Sequence, residues 1–261
     1  MQCLIDCDIV LYEVAFGGQY KEEGDGDVIV PRPFDHVAKK FDEKIKQIED
    51  ECWATEPSIL YITGKTNFRN GIAKRRPYKD KRSPKPFHHA NLKAYAKAKY
   101  DVRMQEGLEA DDLLAIEQSS RDDTIICTRD KDLRMVEGMH FGWECGKQPQ
   151  FGPRYVSNIG TLELVNGNKI VGEGLLFFYS QIITGDPVDT IAGLPRGGPA
   201  MAYKSLHGLT TEQEMFDAVS NLYRDKFPET WEDELLEQAR LLWMVRELKD
   251  GEPVMWEFPK C

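Results

Sequence analysis

Asp123-Thr-Ile-Ile-Cys-Thr-Arg-Asp-Lys-Asp132 is the stretch on which the fold turns. Its short run of β-branched and apolar residues reads as a buried strand. Two aspartates, Asp130 and Asp132, follow the strand's carboxyl end. The N-terminus has the same form, since Cys3-Leu4-Ile5-Asp6 is an apolar run closed by an acid, and Ser58-Ile-Leu-Tyr-Ile-Thr63 is a third strand. Between them Phe34, Val37, Phe41, Ile45, Ile48 and Cys52 recur at three- and four-residue steps, the spacing of an amphipathic helix. Ile9 to Phe16, His88 to Lys99 and Leu108 to Ser119 read as further helices, Gly17 to Arg32 as a polar connection, and Tyr100 to Arg103 as a short strand. Apolar strands alternating with helices imply an α/β fold with a mostly parallel central sheet flanked by helices. Ligands of such sheets bind beyond the carboxyl ends of the strands. Asp6, Asp130 and Asp132 are therefore expected at one shared edge.

The second half has a different texture. Thr161 to Val171 holds Asn166-Gly167 between alternating segments, a hairpin signal. Helices are expected at 173–184, 199–207, 211–226 and 232–248, and a last strand from Val254 to Phe258. The division implied is an α/β core over 1–160 and a mostly helical region over 161–261. Hydrophobic and charged fractions of 41% and 30% are ordinary for a globular chain of 261 residues. Apolar runs such as Gly174 to Tyr179 are too short to cross a bilayer, so no membrane partner is expected. Six cysteines stand without CxxC spacing and read as reduced, buried, small apolar residues rather than a zinc site.

A third set of acids opens a helix in Leu108-Glu-Ala-Asp-Asp-Leu-Leu-Ala115, where Glu109, Asp111 and Asp112 stand. Acids at a helix start favour the dipole and need no other role. Convergence of all three sets is another matter. Carboxylates gathered within ~5 Å repel by roughly a few kcal/mol per pair, so some must protonate or divalent cations must neutralise them. All-oxygen ligands favour Mg²⁺ or Mn²⁺ over zinc, and a pair of such ions suits in-line displacement at phosphorus.

The net charge of −10 conceals a polarised chain. Between Lys65 and Arg103 thirteen basic residues meet only Asp80 and Asp101, so this window carries +11 and the remainder −21. A polyanion would sit on that stripe. Tyr78 lies among its lysines in Tyr78-Lys-Asp-Lys-Arg82 and can stack on an unpaired base. A further signal is Thr184-Gly-Asp186-Pro-Val-Asp189-Thr-Ile-Ala-Gly193-Leu-Pro-Arg-Gly197-Gly198, two acids and a glycine-rich turn between helices. Backbone amides at such a turn can grip a phosphate, although a simple helical hairpin with glycine caps has the same pattern.

With these segments in order, the chain resembles the 5′-nuclease superfamily, a PIN-like group that includes flap endonucleases, and in particular phage 5′-to-3′ exonucleases of the T-odd podovirus type. The matching motifs are Leu4-Ile-Asp6, Asn67-Phe-Arg69, Tyr78-Lys-Asp-Lys-Arg82, Leu108-Glu-Ala-Asp-Asp112, Thr128-Arg-Asp-Lys-Asp132, and Gly185-Asp186 through Asp189 to Gly198; the tail from Gln238 to Trp256 resembles the same group. The resemblance implies an acidic pocket, a basic arch over 65–103, and a helix–three-turn–helix DNA grip at about 173–207. It implies one metal held by Asp6, Glu109, Asp111 and Asp112, and a second, looser one involving Asp130, Asp132 and Asp186 with Asp189 nearby. Lys79 and Arg82 would act on the scissile phosphate. Arg69 would contact the threaded strand, with Arg75, Arg76, Tyr78, Gly193, Gly197, Gly198 and Lys204 on the DNA. The family usually has an aspartate after the second strand. Here that place falls on Gly64, and Asp8 is the residue that would compensate.

The implied activity is Mg²⁺-dependent hydrolysis, with Mn²⁺ able to substitute, of DNA at 5′ ends or flaps, giving 5′-phosphates. The implied substrate is duplex or flapped DNA, including an RNA primer in an RNA–DNA hybrid. The implied state is a monomer in the cytoplasm of the phage's host. Two rivals share the acid cluster. A PIN-type ribonuclease gives no reason for the turn from Gly193 to Gly198, and a catalytically weakened DNA-binding protein is raised by Gly64 and opposed by retention of the other acids. A small-molecule phosphatase leaves the +11 window unexplained.

Overall fold

The computed structural model describes residues 1–22, 28–80 and 84–260. Strand β1 (Gln2–Asp6) leads into α1 (Cys7–Gly17), the strand pair β2 (Gln19–Glu22) and β3 (Val28–Pro31), and α2 (Phe34–Glu51). After β4 (Glu56–Tyr61) the basic window contains the single turn α3 (Arg69–Ile72) and α4 (His89–Lys99). Then come β5 (Asp101–Arg103), α5 (Ala110–Ser119), β6 (Thr124–Cys127), β7 (Gly138–Gly142) and β8 (Phe151–Val156). The hairpin of β9 (Leu162–Val165) and β10 (Lys169–Gly172) precedes α6 (Gly174–Thr184), α7 (Pro199–Leu206), α8 (Glu212–Lys226) and α9 (Trp231–Leu242).

The principal sheet runs β5-β4-β1-β6-β7-β8, parallel throughout except for the edge strand β8. Strand alternation divides its side chains between two cores. Leu4, Ile59, Tyr61 and Ile126 join one cluster with Phe178, Tyr179, Leu206 and Trp256, while Cys3, Ile5, Leu60, Ile62, Ile125 and Cys127 join the other with Val10, Leu11, Phe41 and Ile45. Apolar burial on both faces is why these strands read as unbroken hydrophobic runs. Residues on either side of position 160 share the first cluster.

Several elements differ from the sequence reading. The polar connection after α1 pairs as the β2–β3 hairpin. β7 and β8 were not foreseen because glycines bracket the first and Gly152-Pro153 interrupts the second; β8 is an edge strand, where a proline costs no ladder bond. Helix α9 stops at Leu242 rather than 248, because the Arg69 guanidinium takes the carbonyls of Leu241 at 3.0 Å and Trp243 at 2.7 Å and so ends the helix. Val254 to Phe258 is not a strand; Trp256 instead plugs its ring against Phe178, Tyr179 and Phe216. The five cysteines among the described residues are free and mostly buried, but Cys3, Cys52 and Cys127 come together within 4.8 Å, which their sequence spacing conceals. Among the described residues no helix is long and apolar enough to cross a membrane.

Candidate active site

Strands β1, β4 and β6 end at one edge of the sheet, which brings Asp6, Thr63 and Thr128 side by side. Asp6 caps α1, accepting from the Ile9 amide at 3.3 Å and from the Thr128 hydroxyl at 2.8 Å, and is 2% exposed. The Asp130 amide donates back to Thr128 Oγ1 at 3.0 Å, and the Asp132 amide to Asp130 Oδ1 at 2.9 Å. This local turn chemistry aims the aspartates beyond the strand instead of letting it continue.

A cavity of about 270 Å³ opens at this edge. Asp6, Asp8, Glu109, Asp111 and Asp130 line it together with Lys79, Lys85, His89 and Lys93. Burial, then the charge of Asp8, pushes Asp6 up to about 7. Burial and the neighbouring Asp132 push Asp130 up to about 6, and burial with Asp6 and Asp130 holds Asp111 well above the carboxylate range. Asp111 has no hydrogen-bond or ion-pair partner among the described residues. Burial and neighbouring acids thus raise all three carboxylates, a strain that a bound cation would relieve. Among the described residues the three core thiols are the only group of three or more metal-capable side chains whose ligand atoms all lie within 4.8 Å of one another; the cavity acids do not form such a group.

Two lysines tie the remaining acids together. Lys131 spans Asp132 at 2.8 Å and Asp186 at 3.1 Å, and Gln181 donates to the same Asp132 oxygen at 2.6 Å. Asp186 also accepts the Val188 amide at 2.8 Å; although burial opposes it, Lys131 keeps its pKa low. Lys79, held at φ 51°, spans Glu109 at 2.7 Å and Asp189 at 3.4 Å.

Other expected site residues have internal duties. Asp112 is fully buried and receives both prongs of Arg69 at 2.7 and 2.8 Å, together with the amides of Glu109 and Val245 at 3.1 Å each. Its oxygens are spoken for, so it is not a metal ligand here. Arg69 is 1% exposed, and Leu241, Trp243, Glu109 and Asp112 use its five N–H donors, so it does not reach a strand. Tyr78 is half-buried, with its hydroxyl 2.8 Å from a Glu109 oxygen and 3.1 Å from an Asp189 oxygen. Arg75 pairs with Glu234 at 3.1 Å. The amides of Gly193 and Gly197 are taken by Gln238 at 2.9 Å and Leu194 at 2.7 Å, so they cannot grip a phosphate. A Cβ on either would lie 2.3 Å from backbone, which explains both glycines as close approaches between the turn and α6. Gly198 caps α7, and Arg76 and Lys204 remain exposed. Arg82 lies outside the described residues.

Gly64 has no room for an acid, since a Cβ there would lie 2.8 Å from the Gln105 carbonyl and 3.2 Å from the Glu106 carboxylate. Asp8 is held by the Thr63 amide at 2.8 Å and faces the cavity from α1 instead. His89, Lys85 and Lys131 were not singled out by sequence. The first two share a four-residue step with Lys93, and that spacing could have signalled them.

No protein-family model and no curated protein matches this chain. Solved structures do. The bacteriophage T5 flap endonuclease, in a pseudo-enzyme–product complex with DNA and metal ions, is similar over 92% of this chain and 88% of that one, with a TM-score of 0.60 and 16% identity. The T5 5′-exonuclease with bound divalent metal ions (zinc) is similar over 93% and 89%, with a TM-score of 0.59 and 14% identity. At such identities the likeness establishes the fold, and it is the fold that the motif order implied.

Proposed function

We propose that this chain, which shares its fold with the T5 5′-nucleases, is a divalent-metal-dependent nuclease that hydrolyses DNA at 5′ ends or flaps and releases 5′-phosphate products. The observation that carries the reading is the cavity shared by Asp6, Asp111 and Asp130, where Asp111 has no partner among the described residues. Desolvated carboxylates of this kind need a counter-charge, and an oxygen-only donor set fits Mg²⁺, with Mn²⁺ in its place. Asp6, Asp111 and Asp130 would hold the ion, with Asp8 and Glu109 beside them; Asp132 and Asp186, with Asp189 nearby, would serve a second. A bound divalent ion supplies Lewis acidity towards the phosphoryl oxygens.

The chain's own side chains supply orientation. The Thr128 hydroxyl and the Ile9 amide fix Asp6, so its carboxylate is presented without a search through rotamers. Lys79 sits on the cavity wall between Glu109 and Asp189, from which its ammonium can turn towards a phosphate as negative charge builds. Arg76, Lys85 and Lys204 are exposed cations suited to strand phosphates. The T5 complex with DNA and metal ions supports the assignment of substrate class.

The test is 5′-labelled blunt, nicked and flapped DNA incubated with Mg²⁺, with product sizes measured. Short 5′-phosphorylated fragments that vanish in EDTA are expected. Cleavage from 3′ ends, or none on any substrate, overturns the reading.

A further inference from the structure

Strand β1, the end of helix α2 and strand β6 each bring one thiol to the same point in the core. Cys3 and Cys127 lie on neighbouring parallel strands, in register with Ile125 and Ile5, and all four belong to one buried cluster. Cys52 follows the last residue of α2, its amide on the Ile48 carbonyl at 3.0 Å. The three cysteines are 0% exposed, and their sulfurs lie within 4.8 Å of one another, with Cys52 and Cys127 at 3.7 Å. Thiolates bound at about 2.3 Å around a tetrahedral cation stand about 3.8 Å apart. The closest pair already has that spacing, and each longer separation closes by ~1 Å at most. Apolar filling accounts for a buried cysteine taken singly, and Cys7, in the same cluster, stands outside this group. It gives no reason for three sulfurs from distant parts of the chain to converge. An oxygen is at hand too, since the Ser58 hydroxyl, which donates to Glu49 at 2.6 Å, also interacts with the Cys3 thiol.

We propose that Cys3, Cys52 and Cys127 form a structural site for a thiophilic divalent cation of the zinc class, separate from the acid cavity. Soft thiolate donors select zinc, whereas the oxygen donors of the cavity suit Mg²⁺ or Mn²⁺. On binding, three S–H protons leave to solvent and three metal–sulfur bonds form, with no change of oxidation state. The Ser58 oxygen is available beside Cys3 for the fourth place. Because the sulfurs are closed to solvent, the cation enters as the chain folds, and its binding free energy becomes folding free energy. The ion ties α2 to β1 and β6, the strands whose carboxyl ends lead to Asp6 and Asp130.

The test refolds the full chain, with its thiols kept reduced by a phosphine, in the presence of Co²⁺, a coloured probe that zinc displaces. The wild type is expected to show a thiolate-to-cobalt charge-transfer band that saturates at about one ion per chain and disappears when Zn²⁺ is added. Its thermal midpoint is expected to be higher with Zn²⁺ than without. Cobalt held by carboxylates gives no such band, so Asp111→Asn, which removes a cavity acid, retains it, as does Cys145→Ser. Cys52→Ala and Cys127→Ala lose it. Should neither of these fold, the wild-type spectrum decides by itself. A folded wild type without the band, or an undiminished band in folded Cys127→Ala, overturns the site and leaves the three thiols as core filling.

Discussion

Arg69 and Asp112 form a two-pronged ion pair at 2.7 and 2.8 Å, with the guanidinium 1% exposed and the carboxylate fully buried. Through it the basic window, the start of α5 and the end of α9 are joined by one contact. An acid at a helix start and an arginine in a basic stretch thus turn out to be architecture.

Removing one partner leaves a buried, unpaired charge, so Asp112→Ala is expected to cost roughly 3–5 kcal/mol. Urea unfolding measures this. A full-stability Asp112→Ala protein that had lost cation binding would return Asp112 to the ligand set.

The cavity acids make metal-free stability depend on pH. Asp6 titrates at about 7 and Asp130 at about 6, both above the ordinary 3.8. An acid whose folded pKa is raised contributes stability that is complete below its unfolded pKa and lost as pH climbs through the folded one. In EDTA the protein therefore loses on the order of a few kcal/mol between about pH 4 and pH 7 from these groups. Mg²⁺ is expected to reverse the loss, and Asp6→Asn with Asp130→Asn to flatten it. Denaturation midpoints across that range, with and without metal, decide the matter; a wild-type curve as flat as the variant's contradicts the electrostatic reading.

Gly64→Asp is not expected to improve the site, although it inserts a carboxylate at the end of β4. Its Cβ meets the Gln105 carbonyl at 2.8 Å, and overpacking of this sort costs about 1–3 kcal/mol. A lower thermal midpoint with no gain in Mn²⁺ affinity is the expected result, whereas Asp8→Asn should weaken that affinity.

Lys131→Met leaves Asp132 and Asp186 without their shared cation. The variant is expected to melt below the wild type in EDTA and to gain more than the wild type when Mn²⁺ is added. Equal metal-induced shifts would show that this pair does not take an ion.

Much of this was legible because burial on both faces of β1, β4 and β6 leaves an unmistakable apolar run, and because Asp6 and Asp130 follow such runs directly. What escaped the sequence was pairing over distance. Nothing near Asn67-Phe-Arg69 reveals that its guanidinium reaches the end of α9, or that Asp112, next to the cavity residue Asp111, points the other way into that pair. Gly193 and Gly197 show the same limit, since a glycine needed for close backbone approach and one that bares an amide to a ligand look alike in sequence.

The most direct measurement is Mn²⁺ binding and 5′-end DNA cleavage by one preparation, with wild type beside Asp111→Asn and Asp130→Asn. Wild type is expected to bind Mn²⁺ and to cut only with metal present, and each variant to lose both while still binding DNA. Cleavage undiminished in the variants, or persisting in EDTA, would contradict a cation held by these carboxylates.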